Sequence, residues 1–198
     1  MMLSKSVFSR KMSIISATKR GPRFISSPSV HTSFPATMYR FQLRRESSLF
    51  HNKIKNGGFF RDGVEIADDG LVYLRLSSTQ NFSNGPIFRP NTCLMQELLR
   101  SDYDLCEEQA EMSGDIVHPI VVCIKKGTTI PTSLQLFQER ISRFSLQPSH
   151  PMTLRDLNDT LCEFYSNHAL ITDAVEWMEC NEFHNAYADN ATEDWLQY

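Results

Sequence analysis

The most regular hydrophobic pattern in the chain lies between residues 125 and 165. Apolar residues alternate at Leu134 and Leu136, a period of two that predicts a strand with one buried face. Pro148 and Pro151 then predict an extended passage, because each proline ring fixes its own φ and disfavours helical geometry in the residue before it. This segment is therefore expected to supply a strand and a proline-shaped loop.

A helix is predicted directly after that loop. Thr153 has the side chain of a helix N-cap, and Asp156 follows three residues later in the manner of a capping box. Apolar residues then recur at helical spacing on one face, at Leu154, Leu157, Leu161, Phe164 and Tyr165. The spacing predicts an amphipathic helix over residues 153–168 that packs against the strands.

The rest of the chain supplies further elements. Strands are predicted at 38–43, 71–76 and 116–124, and helices at 92–112, 169–178 and 182–188. Pro119 indicates that the third strand lies at an edge or carries a bulge. Residues 37–145 are thus expected to form most of a β-rich core within an α+β fold.

Composition is that of one ordinary domain with tails: 198 residues, 41% of them hydrophobic. The five cysteines are dispersed without a CxxC pair, which argues against a disulfide framework and against a zinc site. The six histidines are far apart, so no metal site is predicted. No run approaches 18 apolar residues, so no membrane span is predicted, and no nucleic-acid-binding motif is evident.

Charge separates the two ends of the chain. Residues 1–45 carry nine Lys or Arg and no acid, whereas ten Asp or Glu and no Lys or Arg follow Arg155. Residues 1–35, with an apolar face that includes Leu3 and Phe8, have the composition of a mitochondrial transit peptide; the alternative is a disordered basic tail. The predicted location is therefore mitochondrial, or otherwise cytoplasmic.

Three regions follow from these patterns. Residues 1–36 are predicted to be a targeting segment and linker, 37–168 the folded domain, and 169–198 an acidic, helical C-terminal tail.

Candidate chemistry comes from two of the predicted strands, since the chain has no glycine-rich nucleotide motif, HExxH or GxSxG. Arg40 lies among apolar neighbours, where it either needs a partner in the core or faces water from an edge strand. Residues 77–79 place three hydroxyls at the end of the second strand. Hydroxyls can accept hydrogen bonds from an arginine without neutralising its charge, and such a cation suits a phosphate-bearing ligand. Arg40 and Thr79 are therefore expected to share one cleft.

Short motifs in sequence order add a family resemblance. They are Met38-Tyr39-Arg40, Asp69-Gly70-Leu71, Thr79 with Phe82, Gly127-Thr128 with Ile130-Pro131 and Leu134, and Pro148 with Pro151-Met152. Over residues 37–168 they resemble the toxin domain of the bacterial type VI secretion effector Tse-two, and more closely its fungal relatives. The resemblance implies an ADP-ribosyltransferase-like fold, in which a curved antiparallel sheet is split into two halves around a cleft for NAD.

The resemblance also implies site residues. Arg40 would hold a phosphate or ribose, Tyr39 would pack beside the nicotinamide, and Ser78 with Thr79 would orient the nicotinamide ribose. Arg143-Phe144 aligns with a His-Tyr pair of the bacterial toxin, and Arg143 is assigned to NAD binding. The catalytic residues would be Arg40, Thr79 and Gln147, the last standing where related transferases have a glutamate, with Glu139 nearby but not aligned.

Three functions stay open from the sequence. The first is an NAD-dependent ADP-ribosyltransferase-like toxin domain with an unknown acceptor and a neutralising protein partner. The second is a binding module that keeps the fold without the chemistry. The third is a mitochondrial structural or assembly protein that uses its acidic tail as a contact surface.

Overall fold

The computed structural model describes residues 29–52, 62–76, 83–114 and 118–181. In these segments mostly antiparallel strands combine with three helices, so the predicted α+β class is confirmed. The strands are β1 Ser29–His31, β2 Met38–Gln42, β3 Phe50–His51, β4 Gly63–Val64, β5 Leu71–Val72, β6 Ile87–Phe88, β7 Ile120–Ile124, β8 Leu134–Arg140, β9 Arg143–Pro148, β10 Met152–Thr153 and β11 Ala169–Asp173. The helices are α1 Cys93–Ser113, α2 Leu154–His168 and α3 Ala174–Cys180. None of these described helices is long and apolar enough to span a bilayer.

Two antiparallel sheets form the centre of the domain. One has the strand order β1-β8-β9-β6, and the other has the order β11-β7-β2. Backbone hydrogen bonds in both directions between Tyr39 and Arg89 join β2 to the end of β6, with N···O distances of 2.7 and 3.0 Å. The predicted division of the sheet into two halves is therefore present, and the halves meet at this bridge.

Apolar side chains bury both faces of the β11-β7-β2 sheet. Successive residues of a strand point to opposite faces, so Met38 joins the large core shared with β8, β9 and α2, whereas Phe41 joins a smaller cluster with α1 and α3. On β7, Val122 likewise lies in the large core and Val121 in the smaller cluster. Burial on both faces explains why β7 is a continuous apolar run rather than an alternating one.

The two long helices begin where the sequence predicts. The Thr92 Oγ1 accepts a hydrogen bond from the Met95 N–H at 3.2 Å, and α1 ends at Gly114 in the left-handed conformation, φ 77°. The Thr153 Oγ1 accepts from the Asp156 N–H at 3.1 Å and donates to the Asp156 carboxylate at 2.7 Å. Both caps satisfy backbone donors that lack partners inside the helix.

Residues 134–148 form a hairpin, whereas the sequence predicts one strand followed by a loop. β8 turns at residues 141–142 into β9, which continues until Pro148 lies opposite Leu134. β6 pairs with β9 only at Phe144 and Ser145, so the missing N–H of Pro148 removes no hydrogen bond to β6.

The strand predicted over 71–76 ends at Val72, so the prediction is wrong for residues 73–76. Side chains take the place of a neighbouring strand here. The Asn84 Nδ2 donates to the Tyr73 carbonyl at 2.9 Å, and the Arg75 N–H donates to the Gln147 Oε1 at 2.8 Å. With these backbone groups satisfied by side chains, no strand ladder forms.

The predicted helix over 169–178 is wrong in its first half. Residues 169–173 form β11, which pairs along its whole length with β7 on the side opposite β2. Asp173 then caps α3 by accepting from the Val175 N–H at 2.8 Å. The helix predicted over 182–188 lies outside the described residues.

Folded structure also begins before the predicted boundary at residue 37. β1 pairs with β8 from Ser29 to His31, and the Phe34 side chain is only 1% exposed in the large core. Residues 29–35, which were expected to be a linker outside the fold, are therefore part of it. Residues 169–180, which were assigned to a tail, likewise complete the second sheet and its covering helix.

Candidate functional site

A cavity of about 190 Å³ lies where the two sheets meet, beside the N-terminal half of α1. Its lining residues come from both sheets and the helix: Tyr39, Arg40, Phe41, Ile87, Arg89, Met95, Leu98, Leu99, Asp102 and Arg143. Of the residues assigned from the sequence, Tyr39, Arg40 and Arg143 are among those that line the cavity, although the side chain of Arg40 lies on the other face of its strand. No group of three or more His, Cys, Asp or Glu in the described segments is arranged to bind a metal.

Arg89 shares a face of the sheet with Tyr39. Residues directly opposite each other in an antiparallel pair project their side chains to the same side, so the Tyr39–Arg89 bridge fixes this relationship. The Tyr39 ring packs edge-on against Trp177 of α3, with ring centroids 5.2 Å apart. Arg89 is half-buried, and its Nη1 donates to the Ser142 carbonyl at 3.1 Å.

The surroundings of Arg89 are strongly cationic. Burial lowers its pKa to about 10, and repulsion from Arg143 and Arg140 acts in the same direction. No carboxylate in the described residues forms an ion pair with Arg89. At neutral pH the side chain is still a cation, because a pKa of about 10 lies well above 7. An anion in this cavity would meet at least one guanidinium that no acid already neutralises.

Arg40 serves a different purpose from the one predicted. Its neighbours on β2 place Tyr39 and Phe41 on the helix side, so the Arg40 side chain lies on the other face. There its Nη2 forms an ion pair with Asp62 and its Nε donates to the Gln42 Oε1 at 3.1 Å; the residue is 4% exposed. The expectation of an unneutralised Arg40 is therefore wrong, although its Nη1 has no hydrogen-bond partner in the described residues.

A buried polar cluster extends from Arg143 into the domain. The Glu139 Oε2 lies 3.8 Å from the Arg143 Nε, and its Oε1 accepts from Ser145 Oγ and, at 3.4 Å, from Gln147 Nε2. Gln147 is fully buried, and its Oε1 accepts from the Arg75 N–H. Gln147 does not line the cavity. Its connection to the cavity runs through Glu139 and Arg143.

Two predicted residues cannot be placed against this cavity. Ser78 and Thr79 lie outside the described residues, so the proximity of Arg40 and Thr79 stays a prediction. Arg75, just before the three hydroxyl residues, is 17% exposed and forms an ion pair with Glu65.

Comparison with known proteins identifies the family of this fold. A family model described as Tse2 ADP-ribosyltransferase toxin matches residues 36–177. The chain belongs to this family. No curated protein and no solved structure matches the chain.

For this ADP-ribosyltransferase toxin domain, sequence reasoning found part of the site and missed two charged residues. Arg89 lies outside every predicted element, yet it directly follows the apolar pair Ile87-Phe88 and precedes Pro90, a pattern that fits the end of a short strand. Asp102 lies within the helix predicted over 92–112, and nothing in the local sequence singles it out. It lines the cavity because α1 packs across the junction of the two sheets.

Proposed function

We propose that this toxin domain binds NAD in the cavity and transfers ADP-ribose to an acceptor. The observation that carries the proposal is Arg89: a half-buried guanidinium, next to Arg143, with no acid partner in the described residues. Arginine binds phosphate oxygens through paired, charge-assisted hydrogen bonds, so the two arginines suit a diphosphate. In this proposal Arg89 takes the role that the sequence gave to Arg40.

Size and shape restrict which part of NAD the cavity takes. Its volume of about 190 Å³ is below the ~300 Å³ at which pockets for whole ligands begin. We therefore assign to it the diphosphate and one adjoining ring, with the ring beside Tyr39. Leu98 and Leu99 supply an apolar wall on the α1 side.

Transfer requires cleavage of the bond between nicotinamide and the ribose C1′. Nicotinamide leaves with the electron pair of that bond, the acceptor nucleophile forms the new bond to C1′, and the acceptor loses its proton. Positive charge develops on the ribose as the bond lengthens, and a nearby carboxylate lowers the energy of that state. Asp102 is the acidic residue that lines the cavity, and we assign this role to it.

Equilibrium binding of NAD tests the proposal directly. We expect Arg89→Gln to raise the Kd roughly 10- to 100-fold, in line with about 1.5–3 kcal/mol for a hydrogen bond to a charged group. The matched control is Arg155→Gln, since the Arg155 side chain is 88% exposed on α2. A Kd for Arg89→Gln within twofold of the control value would contradict the proposal.

A second candidate is a module that binds NAD without cleaving it. Gln147, which stands where related transferases have a glutamate, is fully buried away from the cavity with both ends of its amide hydrogen-bonded. Release of free nicotinamide from NAD separates the two candidates. Tight binding without release, in the presence of a cell lysate as a source of acceptor, favours the module.

We also propose that the basic N-terminal segment delivers the domain to mitochondria. Six of the Lys and Arg residues lie before position 29, where described structure begins: Lys5, Arg10, Lys11, Lys19, Arg20 and Arg23. A fluorescent reporter fused to residues 1–28 should enter mitochondria, and the same fusion with these six residues changed to Gln should not. Equal cytosolic signal from both fusions would reject this location.

A further inference from the structure

Four apolar side chains of α1 form one exposed line along the helix, which we call the α1 stripe: Leu94, Leu98, Leu105 and Met112. Each of them is between 37% and 80% exposed. At 3.6 residues per turn they fall within an arc of about 40°, over a length of roughly 27 Å. The last three also follow one another at intervals of seven residues, the repeat by which one helix packs along another.

The α1 stripe is separate from the face by which α1 joins the fold. Met95 and Leu99 are buried in the cluster with Phe41, and they are centred about 100° around the helix from the stripe. Beyond Cys106 the helix has left this cluster, and every residue from 107 to 113 except Ala110 is exposed. Single exposed leucines are ordinary on a protein surface, but apolar side chains aligned on one helix face are typical of an interaction site.

Acidic side chains border the α1 stripe along one side. The helix carries six Asp or Glu and a single Arg, so its net charge is −5. Arg100 donates to the Gln96 Oε1 at 3.4 Å, within the same helix, and Glu107 accepts from the Tyr103 hydroxyl at 2.8 Å. Four exposed acids follow the stripe from one end to the other: Glu97, Asp104, Glu108 and Glu111.

Charges on the neighbouring elements leave the far half of the stripe acidic. Asp102 lies at the cavity, where Arg89 and Arg143 are its cationic neighbours, and this is the end of α1 that meets the sheets. α3 packs against α1 in the smaller cluster, and its charged residues are Glu176 and Glu179. The half of the stripe that lies away from the cavity is therefore strongly acidic.

We propose that the α1 stripe binds a basic amphipathic helix of a partner protein. Apolar residues of that helix cover Leu105 and Met112, while its Lys or Arg residues face Glu108 and Glu111. In the seven-residue repeat, Ser101 and Glu108 occupy the positions at which a coiled-coil seam usually has leucine. An acid in that seam is costly without a counter-charge, so Glu108 selects a partner with a cation opposite it. This docking does not depend on NAD.

Charge also argues against two other occupants of the stripe. A second copy of the chain would bring together two helices of net charge −5, and like charges across an interface are destabilising. An anionic lipid surface would be repelled by the same acids. A partner of opposite charge is the occupant that complements both the apolar line and its acidic border.

Binding of defined peptides to the full chain tests the proposal. The probe is a capped peptide as long as α1, with Leu at the a and d positions of each heptad and Lys at e and g. The comparison peptide has Glu in place of each Lys. We expect the Lys peptide to bind roughly tenfold more tightly or better, with an affinity that falls as salt is added. Equal Kd values for the two peptides would overturn the proposal.

An apolar variant shows whether the Lys peptide lies on the stripe. Leu105→Ala/Met112→Ala should raise its Kd roughly tenfold, because the apolar area that the peptide covers is reduced. The matched control is Val30→Ala/Ile141→Ala, which truncates exposed apolar residues on β1 and at the β8–β9 turn. A Kd that changes equally in the two variants would place the peptide elsewhere and overturn the proposal.

A charge reversal tests the acidic border in a way that unfolding cannot imitate. Glu108→Lys/Glu111→Lys should bind the Glu peptide more tightly than the Lys peptide, the opposite of the wild-type order. Glu46→Lys/Glu163→Lys, at exposed positions away from α1, should keep the wild-type order. An unchanged order of affinities in the Glu108→Lys/Glu111→Lys protein would overturn the proposal.

Hydrogen exchange in α1 identifies any other occupant. We expect the amides of residues 107–113 to exchange quickly in the free chain and slowly with the Lys peptide bound. Protection in the free chain at every protein concentration would mean that another segment of the same chain covers the stripe. Protection that grows with concentration would mean a second copy. Either result would overturn the proposal, as would binding to phosphatidylcholine vesicles that Leu105→Ala/Met112→Ala abolishes.

Discussion

Tyr39 and Arg89 exchange both backbone hydrogen bonds across the junction of the two sheets. One residue lies on β2 and the other directly follows β6, 50 positions later in the chain. Because paired residues share a face, this one contact places an aromatic ring and a guanidinium side by side on the cavity. The neighbouring Arg40 is directed to the opposite face, where Asp62 neutralises it.

If Asp102 acts on the reaction rather than on binding, its loss should slow nicotinamide release without weakening the binding of NAD. In Asp102→Asn we expect nicotinamide release to fall by roughly 100-fold, since the side chain no longer offers a negative charge to the developing cation. The Kd for NAD should change less than threefold. Rates at saturating NAD and equilibrium binding give the two quantities.

Asp104→Asn is the matched control for Asp102, because it removes the same charge from an exposed position two residues further along α1. It should leave the rate unchanged. An Asp102→Asn protein that releases nicotinamide as fast as the Asp104→Asn protein would show that Asp102 has no part in the reaction.

Arg40 and Asp62 should matter for stability. Asp62→Asn leaves a guanidinium that is 4% exposed without its counter-charge, and we expect the free energy of unfolding to fall by about 3 kcal/mol. The double variant Arg40→Met/Asp62→Leu buries no charge and should recover much of this loss. Urea unfolding measures both. A loss no larger than that of Asp68→Asn, at an exposed position, would contradict the prediction.

Gly85 is expected to tolerate no side chain. A Cβ added at this position would overlap the carbonyl oxygen of Leu146, a backbone atom of the central strand β9 that cannot turn away. Gly85→Ala should therefore lower the free energy of unfolding by about 3 kcal/mol or more. A Cβ at Gly114 would meet open space, and the cost of Gly114→Ala comes only from the φ of 77°. This substitution should therefore lower the free energy of unfolding by only about 1 kcal/mol. The reverse order of urea midpoints would be inconsistent with the packing of Gly85 on β9.

Protonation of His31 at acid pH is expected to destabilise the fold where β1 pairs with β8. Burial lowers the pKa of its imidazole in the folded state, and the hydrogen bond with Gln138 opposes this only in part. The unfolded chain therefore binds the proton more readily, so stability that is present above pH 6.5 is lost as the pH falls below that value.

The midpoint of thermal unfolding at pH 7.5 and 5.5 measures this effect. His31→Gln should show a smaller fall in the midpoint on acidification than the wild-type chain. Val30→Ala, at an exposed position of the same strand, should show the wild-type fall. Identical falls in all three proteins would mean that His31 does not contribute.

Local patterns in the sequence determined much of this protein. The cap at Thr153, the strand at β2 and the amphipathic face of α2 each depend on neighbours within a few residues, so periodicity and side-chain chemistry suffice to predict them. The family resemblance likewise came from short motifs in order, and the family model confirms it over residues 36–177.

Long-range pairing decided the rest. Local pattern left residues 169–173 open between helix and strand, since Ile171 and Thr172 are β-branched, and pairing with the edge of β7 opposite β2 decides for the strand. Residues 73–76 look like a strand until side chains distant in sequence take their backbone hydrogen bonds. The site follows the same logic: the sequence shows arginines at 40, 89 and 143, but which of them is neutralised depends on the face each occupies. That face is fixed by strand pairing across tens of residues, and it directs Arg40 to Asp62 and Arg89 to the cavity.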